Sequence, residues 1–398
     1  MTTRPRPLLD EDLPQILTLG QEAFGDFPAG YVMPTPADPP LPGRHAWGSF
    51  EGDRLVAKVV RREFDSWFHG REVATNAIAG VAVSAEHRGA GLLDDLMANA
   101  LDHGLRDRGE VISTLFPTAP GVYRRYGYEL VSSYDTVEIA TYRLLAIKPA
   151  ESTTTRRARV EDIDDIRRVY SAWASAQNGP LTRTGVSFPA DAEKYLSTYT
   201  GVTLAVRDDD VVGYASWNRG TGYDADATLE VSDLIALTAD ATRALWRVIG
   251  SFATVTGKVH LQTSGRDVAR LALPFDEWQV VESNPYMLRI HDVAGAFSGL
   301  RLTTPGLAQH ELAFEIQGDL LGSTDGRWSL SVDDGVSACV AGGAGGPVFS
   351  PRGLALVYAG AMSCADLRIA GLLTGSADDD DAWSALFAGR QLHIRNYF

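Results

Sequence analysis

The chain has 398 residues and a formal net charge of −15, a length that fits two or three domains, each burying its own core. The acidic balance disfavours nucleic acid and anionic membrane surfaces as partners and favours small cations. No apolar run approaches the roughly 18 residues of a membrane span, and the apolar content, 45%, is that of a globular protein.

The opening residues, MTTRPRPLLDEDLP, carry no apolar signal-like stretch, which points to a cytoplasmic protein. Cys339 and Cys364 stand among small apolar residues and read as buried, unreactive thiols. The eight histidines are scattered, with no HExxH pair or Cys-His cluster, so no metal site is expected.

Asp10-Glu11-Asp12 opens an amphipathic helix carrying Leu13, Ile16, Leu17 and Phe24. Six prolines between Pro28 and Pro42 exclude a helix or central strand there and predict an exposed loop at the rim of a cleft. Residues 46–50 and 55–64 flank Glu51-Gly52-Asp53-Arg54 as a hairpin. A third strand, 73–83, leads into Arg88-Gly89-Ala90-Gly91, and Leu92, Leu93, Leu96, Met97, Ala100 and Leu101 then recur at helical spacing. A strand at 111–116 and the run Gly121-Val122-Tyr123-Arg124-Arg125-Tyr126-Gly127-Tyr128 follow.

Residues 150–155 read as a linker, after which the order of elements repeats. Ile163, Ile166 and Tyr170 mark a helix; 202–206 and 211–217 form a hairpin around Asp208-Asp209-Asp210. Strand 229–237, a helix around Ala244, Leu245, Val248 and Ile249, and strand 259–262 complete the copy. From about Asp292 the chain shows alternating segments at 312–316 and 328–332. A helix-prone tail then covers 353–373 and 381–387, with an acidic run, 378–381, at a helix start.

The strand, glycine turn and helix place unpaired N–H groups at a helix N-terminus, an anion-binding arrangement. A dinucleotide fingerprint would need a third glycine, and a P-loop a Gly-Lys-Ser/Thr ending; the chain has neither.

This order, with Tyr123 in the following segment, resembles the GNAT acyltransferases, whose strand and turn hold the pantetheine and pyrophosphate of acetyl-CoA. Two such halves before a C-terminal α+β domain and an aromatic last residue resemble the Eis (enhanced intracellular survival) N-acetyltransferases. The resemblance implies a GNAT domain over 1–150, a degenerate second GNAT-like domain over 151–290 and a sterol-carrier-like domain over 291–398. The fold class is α+β or α/β, with mixed sheets. It further implies acetyl-CoA as cosubstrate, an aminoglycoside, polyamine or lysine-like amine as acceptor, and a homohexamer.

On that resemblance the cofactor site comprises Val81-Ala82-Val83, Arg88-Gly89-Ala90-Gly91, Leu92-Leu93-Asp94 and Thr118-Ala119. The backbone N–H of Val83, at a strand end, is the candidate oxyanion donor. Tyr123 is the candidate acid for the departing thiolate, with Tyr126 in reserve, because a phenol of pKa about 10 can protonate a thiolate whose thiol has pKa about 8.5. The α-carboxylate of Phe398 is the base implied by the resemblance; at pKa about 3.5 it needs desolvation or a water relay. Phe24 and Asp26 match positions lining the family's amine pocket, with Trp47 a further candidate wall.

Asp94 and Asp95 compete with a bound pyrophosphate. The second copy reads Thr238-Ala239-Asp240-Ala241-Thr242-Arg243, without glycine, so it is expected to hold no cofactor. The alternative reading is a binding protein that keeps the fold and takes an apolar ligand or a protein partner.

Overall fold

The structure is a computed structural model that describes residues 4–26, 34–35, 41–188, 191–276, 278–302 and 311–398. Most of the proline-rich loop expected at 28–42 lies outside the described residues.

Among the described residues, twelve strands join in one sheet. In chain order they are β1 (Arg6–Pro7), β2 (Arg44–Glu51), β3 (Arg54–Phe68), β4 (Arg71–Val83), β5 (Ile112–Leu115), β6 (Glu129–Ala140), β7 (Thr154–Arg157), β8 (Gly201–Arg207), β9 (Asp210–Arg219), β10 (Thr228–Ala236), β11 (Lys258–Thr263) and β12 (Gln279–Ile290). Their spatial order is β1-β2-β3-β4-β5-β12-β6-β11-β10-β9-β8-β7. The last strand of the second repeat therefore sits inside the first, antiparallel to both β5 and β6. The linker expected at 150–155 is shorter than its composition suggested: Thr154 and Thr155 already pair with β8 as the edge strand β7, because β8 offers an open row of backbone groups.

Among the described residues, three helices shape the first repeat: α1 (Leu13–Phe24), α2 (Leu92–Arg108) and α3 (Pro120–Arg124). The apolar stripe of α2, Leu96, Met97, Ala100 and Leu101, is fully buried against Val59, Ile78 and Leu115. Helices Ile163–Ala174 and Ala239–Gly250 take the places of α1 and α2 in the second repeat. Among the described residues no helix is long and apolar enough to cross a membrane.

The third domain is a five-stranded sheet of β13 (Glu311–Ile316), β14 (Gly326–Asp333), β15 (Val336–Ala341), β16 (Pro347–Phe349) and β17 (Leu373–Gly375), in the order β15-β14-β13-β16-β17. The stretch 353–373 is not one helix: Pro351–Ala359 ends at Gly360, whose φ of 71° stops it, and Leu373 starts β17. Interlocking rings fill the interior. Trp383 lies 5.0 Å from Phe314, 5.2 Å from Phe349 and 5.6 Å from Phe387. Cys339 and Cys364 are free and buried there, and burial pushes the Cys339 thiol up to about 12.

Beyond helix Asp380–Phe387 the chain leaves this domain and lies along Asn178. Asn178 N–H donates to Gln391 O (2.8 Å), and His393 N–H donates to Asn178 O (2.8 Å). Asn178 is in turn tied to the backbone of His69 and Ala359. One residue of the second repeat thus binds the first repeat, the third domain and the tail together.

Candidate active site

The parallel pairing of β4 with β5 runs only from Thr75↔Ile112 to Ile78↔Leu115. There β5 ends while β4 continues to Val83, so the strands part. Within the extension, Ala79 pairs with Val60 and Ala82 with Lys58, leaving Gly80 and Val81 opposite the single residue Val59. Gly80 has φ 53° and makes a glycine bulge that re-aims the strand. Ser84 N–H donates to Val56 O on β3 (2.8 Å). Because successive N–H groups point to opposite edges of a strand, that of Val83 faces the gap.

The turn after β4 depends on its glycines. Gly89 and Gly91 have φ of 80° and 76°, left-handed values that side chains disfavour. Gly91 caps α2, and the first turn of a helix leaves N–H groups without partners, aimed at an anion. Ala90 N–H is already donated to His87 O (3.2 Å) and Asp94 N–H to Gly91 O (3.1 Å).

A pocket of about 660 Å³ opens over this turn. It brings together Phe24, Val81, Ala82, Val83, Arg88, Gly89, Gly91, Leu92, Leu93, Thr118, Ala119 and Tyr123, and adds Ala23, His87, Val122, Arg125 and Tyr126. Sequence reasoning overlooked His87 and Arg125; for Arg125 the signal was its place three residues after Val122 and next to Tyr126.

Five residues expected near the site are absent from the pocket wall. Ala90 uses its N–H inside the turn, as above. Asp94 is turned aside: it accepts the Tyr126 hydroxyl at 2.5 Å and pairs with Arg125 at 3.1 Å. Asp26 is exposed beyond the end of α1. Trp47 packs in the core under α2, edge-on to His103 at 5.1 Å, because β2 places it on the inner face of the sheet. Phe398 lies at another face of the parted strands, with its ring 5.1 Å from Phe116 and 5.4 Å from Phe64.

The tyrosines differ in environment. Tyr123 is 8% exposed, and burial pushes its phenol up to about 12, so it is protonated at neutral pH. Tyr126 is raised as well, by burial and then by Asp94, which already accepts its proton. That bond commits the Tyr126 proton to Asp94, whereas no such partner competes for the proton of Tyr123 among the hydrogen bonds described. Tyr128 is fully buried with its hydroxyl 2.6 Å from Ser113 Oγ, a packing residue.

Other parts of the fold hold this turn in place. Arg289 on β12, fully buried, donates to Tyr126 O and forks onto Asp319 of the third domain at 3.0 and 2.8 Å. Burial opposes ionisation of Asp319, but Arg289 outweighs it and holds the carboxyl at about 2. Arg124 and Arg352 converge on Glu129 in the same way.

The second repeat lacks this arrangement. Asp240, in the first turn of its helix, accepts the N–H groups of Glu151 and Ser152 (2.9 Å each), which hold it well below the usual carboxylate range. The backbone joining the repeats thus meets the carboxylate that was expected to repel a phosphate. Elsewhere, among the described residues, His45, Glu63 and Asp107 bring ligand-type atoms within 4.8 Å of one another. Arg61 stands 3.4 Å from Asp107 and 3.7 Å from Glu63, so guanidinium already neutralises that cluster.

Parted strands, a glycine-capped helix and a buried tyrosine beside them define a GNAT acyltransferase site, set in a chain with a second such fold and an α+β third domain. The acetyltransferase (GNAT) domain family matches residues 4–131, a second acetyltransferase (GNAT) domain family matches 179–290, and the sterol carrier protein domain matches 293–395. An uncharacterized N-acetyltransferase of Streptomyces griseus is 29% identical over 316 residues, 74% of each chain. The N-acetyltransferase Eis of Mycobacterium tuberculosis is 26% identical over 388 residues, 92% of this chain and 91% of that one. The crystal structure of a GCN5-related N-acetyltransferase from Kribbella flavida superposes with a TM-score of 0.82 at 29% identity, covering 100% of this chain and 98% of the other. The chain belongs to the GNAT superfamily and is an Eis-like N-acetyltransferase.

Proposed function

We propose that the protein transfers an acetyl group from acetyl-CoA directly to a primary amine in a ternary complex. The observation that carries this reading is the single pocket wall that joins Val83 at the parted strands, the Gly89 and Gly91 turn and the protonated phenol of Tyr123. Free N–H groups at the start of α2, with Arg88 and Arg125, bind the pyrophosphate, while the pantetheine lies in the gap beside β4.

The amine nitrogen attacks the thioester carbonyl carbon, and the Val83 N–H stabilises the oxygen that becomes negative. The C–S bond then breaks, Tyr123 protonates the departing thiolate, and the amine's surplus proton passes to the Phe398 carboxylate, directly or through water. In this reading residues 1–150 form the catalytic domain, 151–290 a degenerate copy, and 291–398 the domain that supplies the terminal carboxylate. Phe24 forms a wall for the acceptor and Asp26 attracts its charge. Acceptors are aminoglycosides, polyamines or lysine-like amines, and the protein works as a cytoplasmic homohexamer without a metal. The ring-filled interior of the third domain speaks against an apolar ligand there.

Calorimetric titration with acetyl-CoA, followed by thiol release with a panel of amines, tests the proposal. Saturable binding and amine-dependent thiol release are expected. Folded protein that binds no acetyl-CoA overturns it.

A further inference from the structure

We propose that Arg183, in the second repeat, is a positioning residue for the terminal carboxylate, an inference that rests on the reading of Phe398 as base. Its guanidinium ties the last residues of the chain to a buried carboxylate.

Parallel pairing of β10 with β11 ends at Val231↔Leu261, and the pairing of β10 with β9 shifts register between Val231 and Asp233. This is the place in the second repeat where, in the first, β4 bulges and parts from β5. Asp233 stands there, 1% exposed. It accepts the Tyr214 hydroxyl (3.0 Å) and both arms of the Arg183 fork, Nη2 at 3.1 Å. The guanidinium lies 4.0 Å from the centre of the Tyr170 ring, and Arg183 has φ 59°, a left-handed value that costs any residue with a Cβ energy.

The other donors of Arg183 reach the tail. Nε donates to Asn396 Oδ1 (3.1 Å) and Nη2 to Arg395 O (3.4 Å). One residue earlier, the Arg395 side chain donates to Gln262 O and to Asp267 at 3.1 Å. A chain end frays unless it is tied. Among the described hydrogen bonds of Arg183 and Arg395 the polar ties reach as far as Asn396, and the rings of Tyr397, 4.4 Å from Phe116, and of Phe398 then pack against Phe116 and Phe64. Buried ion pairs add little net stability but impose one geometry, which is the property a terminal base requires. The second repeat has thus turned the place of a cofactor gap into an anchor for the catalytic end of the chain.

The test compares the full-length protein with Arg183→Met, Arg183→Lys and Asn396→Ala. Intact-mass spectrometry follows release of Phe398 by carboxypeptidase A, and kcat and KM are measured with acetyl-CoA and spermidine. Release should accelerate about tenfold or more in Arg183→Met, as the tail's open population rises. Its kcat should fall on the order of 10–100-fold with the KM for acetyl-CoA unchanged. Lysine should restore part of the rate, and deleting Phe398 from Arg183→Met should cost little more. Asn396→Ala keeps the Arg183–Asp233 pair and should show the same effects in weaker form, so the inference stays open to refutation if Arg183→Met fails to fold. Equal release rates in all variants, or losses fully additive with deletion of Phe398, overturn it. If trimmed wild-type protein keeps full turnover, the reading of Phe398 as base falls, while the release rates still decide the anchor.

Discussion

The ring of Phe398, the last residue, lies 5.1 Å from that of Phe116, the first residue beyond β5, so the end of the third domain rests against the first. The two are 282 positions apart (398 − 116), and their contact gives the C-terminus a defined place beside the parted strands.

Deleting Phe398, or extending the chain beyond it, should lower kcat on the order of 10²-fold, the usual contribution of a positioned base. Acetyl-CoA affinity, read by calorimetry, should stay within about twofold, because in the proposed mechanism the carboxylate acts on the amine. Unchanged turnover would remove the terminal base from the mechanism.

Tyr123→Phe should lower kcat on the order of 10²-fold while the KM for acetyl-CoA barely moves. Tyr126→Phe should cost far less turnover, since its proton is already shared with Asp94. Steady-state kinetics on the pair checks the order; the reverse ranking would reassign the acid.

Gly91→Ala meets open space, its nearest neighbour being Asp94 Oδ2 at 3.9 Å, so its cost is conformational. A left-handed alanine should destabilise the fold by about 1–2 kcal/mol. If the pyrophosphate is held at this turn as proposed, the added methyl crowds it, and the acetyl-CoA Kd should rise about tenfold. Chemical denaturation and calorimetry read the two effects separately.

Lys58 is 6% exposed and donates to Ile16 O at 3.2 Å; burial, helped by Arg44, lowers its ammonium to about 8. Between that value and the ordinary 10.5 the unfolded chain holds more protons than the folded one, so stability rises with pH across this window. Below about pH 8 the penalty is fully present. Lys58→Met should therefore be more stable at pH 7 by on the order of 2–3 kcal/mol, with the advantage shrinking towards pH 10.5. Denaturation midpoints of both proteins at pH 7 and pH 10 measure the difference, and a constant gap would refute it.

Much of the first repeat was legible because its signals are local. The hairpin over Glu51-Gly52-Asp53-Arg54, the left-handed Gly89 and Gly91, and the buried stripe of α2 follow from turn chemistry and residue period within a few positions. Tyr123 was singled out by resemblance to the GNAT acyltransferases, and the structure sets it on α3 in the pocket wall. At two places where local signals misled, a distant partner had intervened: β8 drew Thr154 and Thr155 into the sheet, and Tyr126 with Arg125 holds Asp94 outside the pocket wall.

By itself the sequence determined the first hairpin, the strand, glycine turn and helix that follow it, and the repeat of that order in the second half, since all of these are written in neighbouring residues. Only the tertiary structure decided that β12 enters the first repeat between β5 and β6, that Arg289 braces the tyrosine turn from there, and that Arg183 and Asp233 hold the tail. The physical reason is that alternation tells a strand which face to bury but not which edge to pair with. A guanidinium likewise fits any carboxylate it can reach, so the choice of partner belongs to the folded chain.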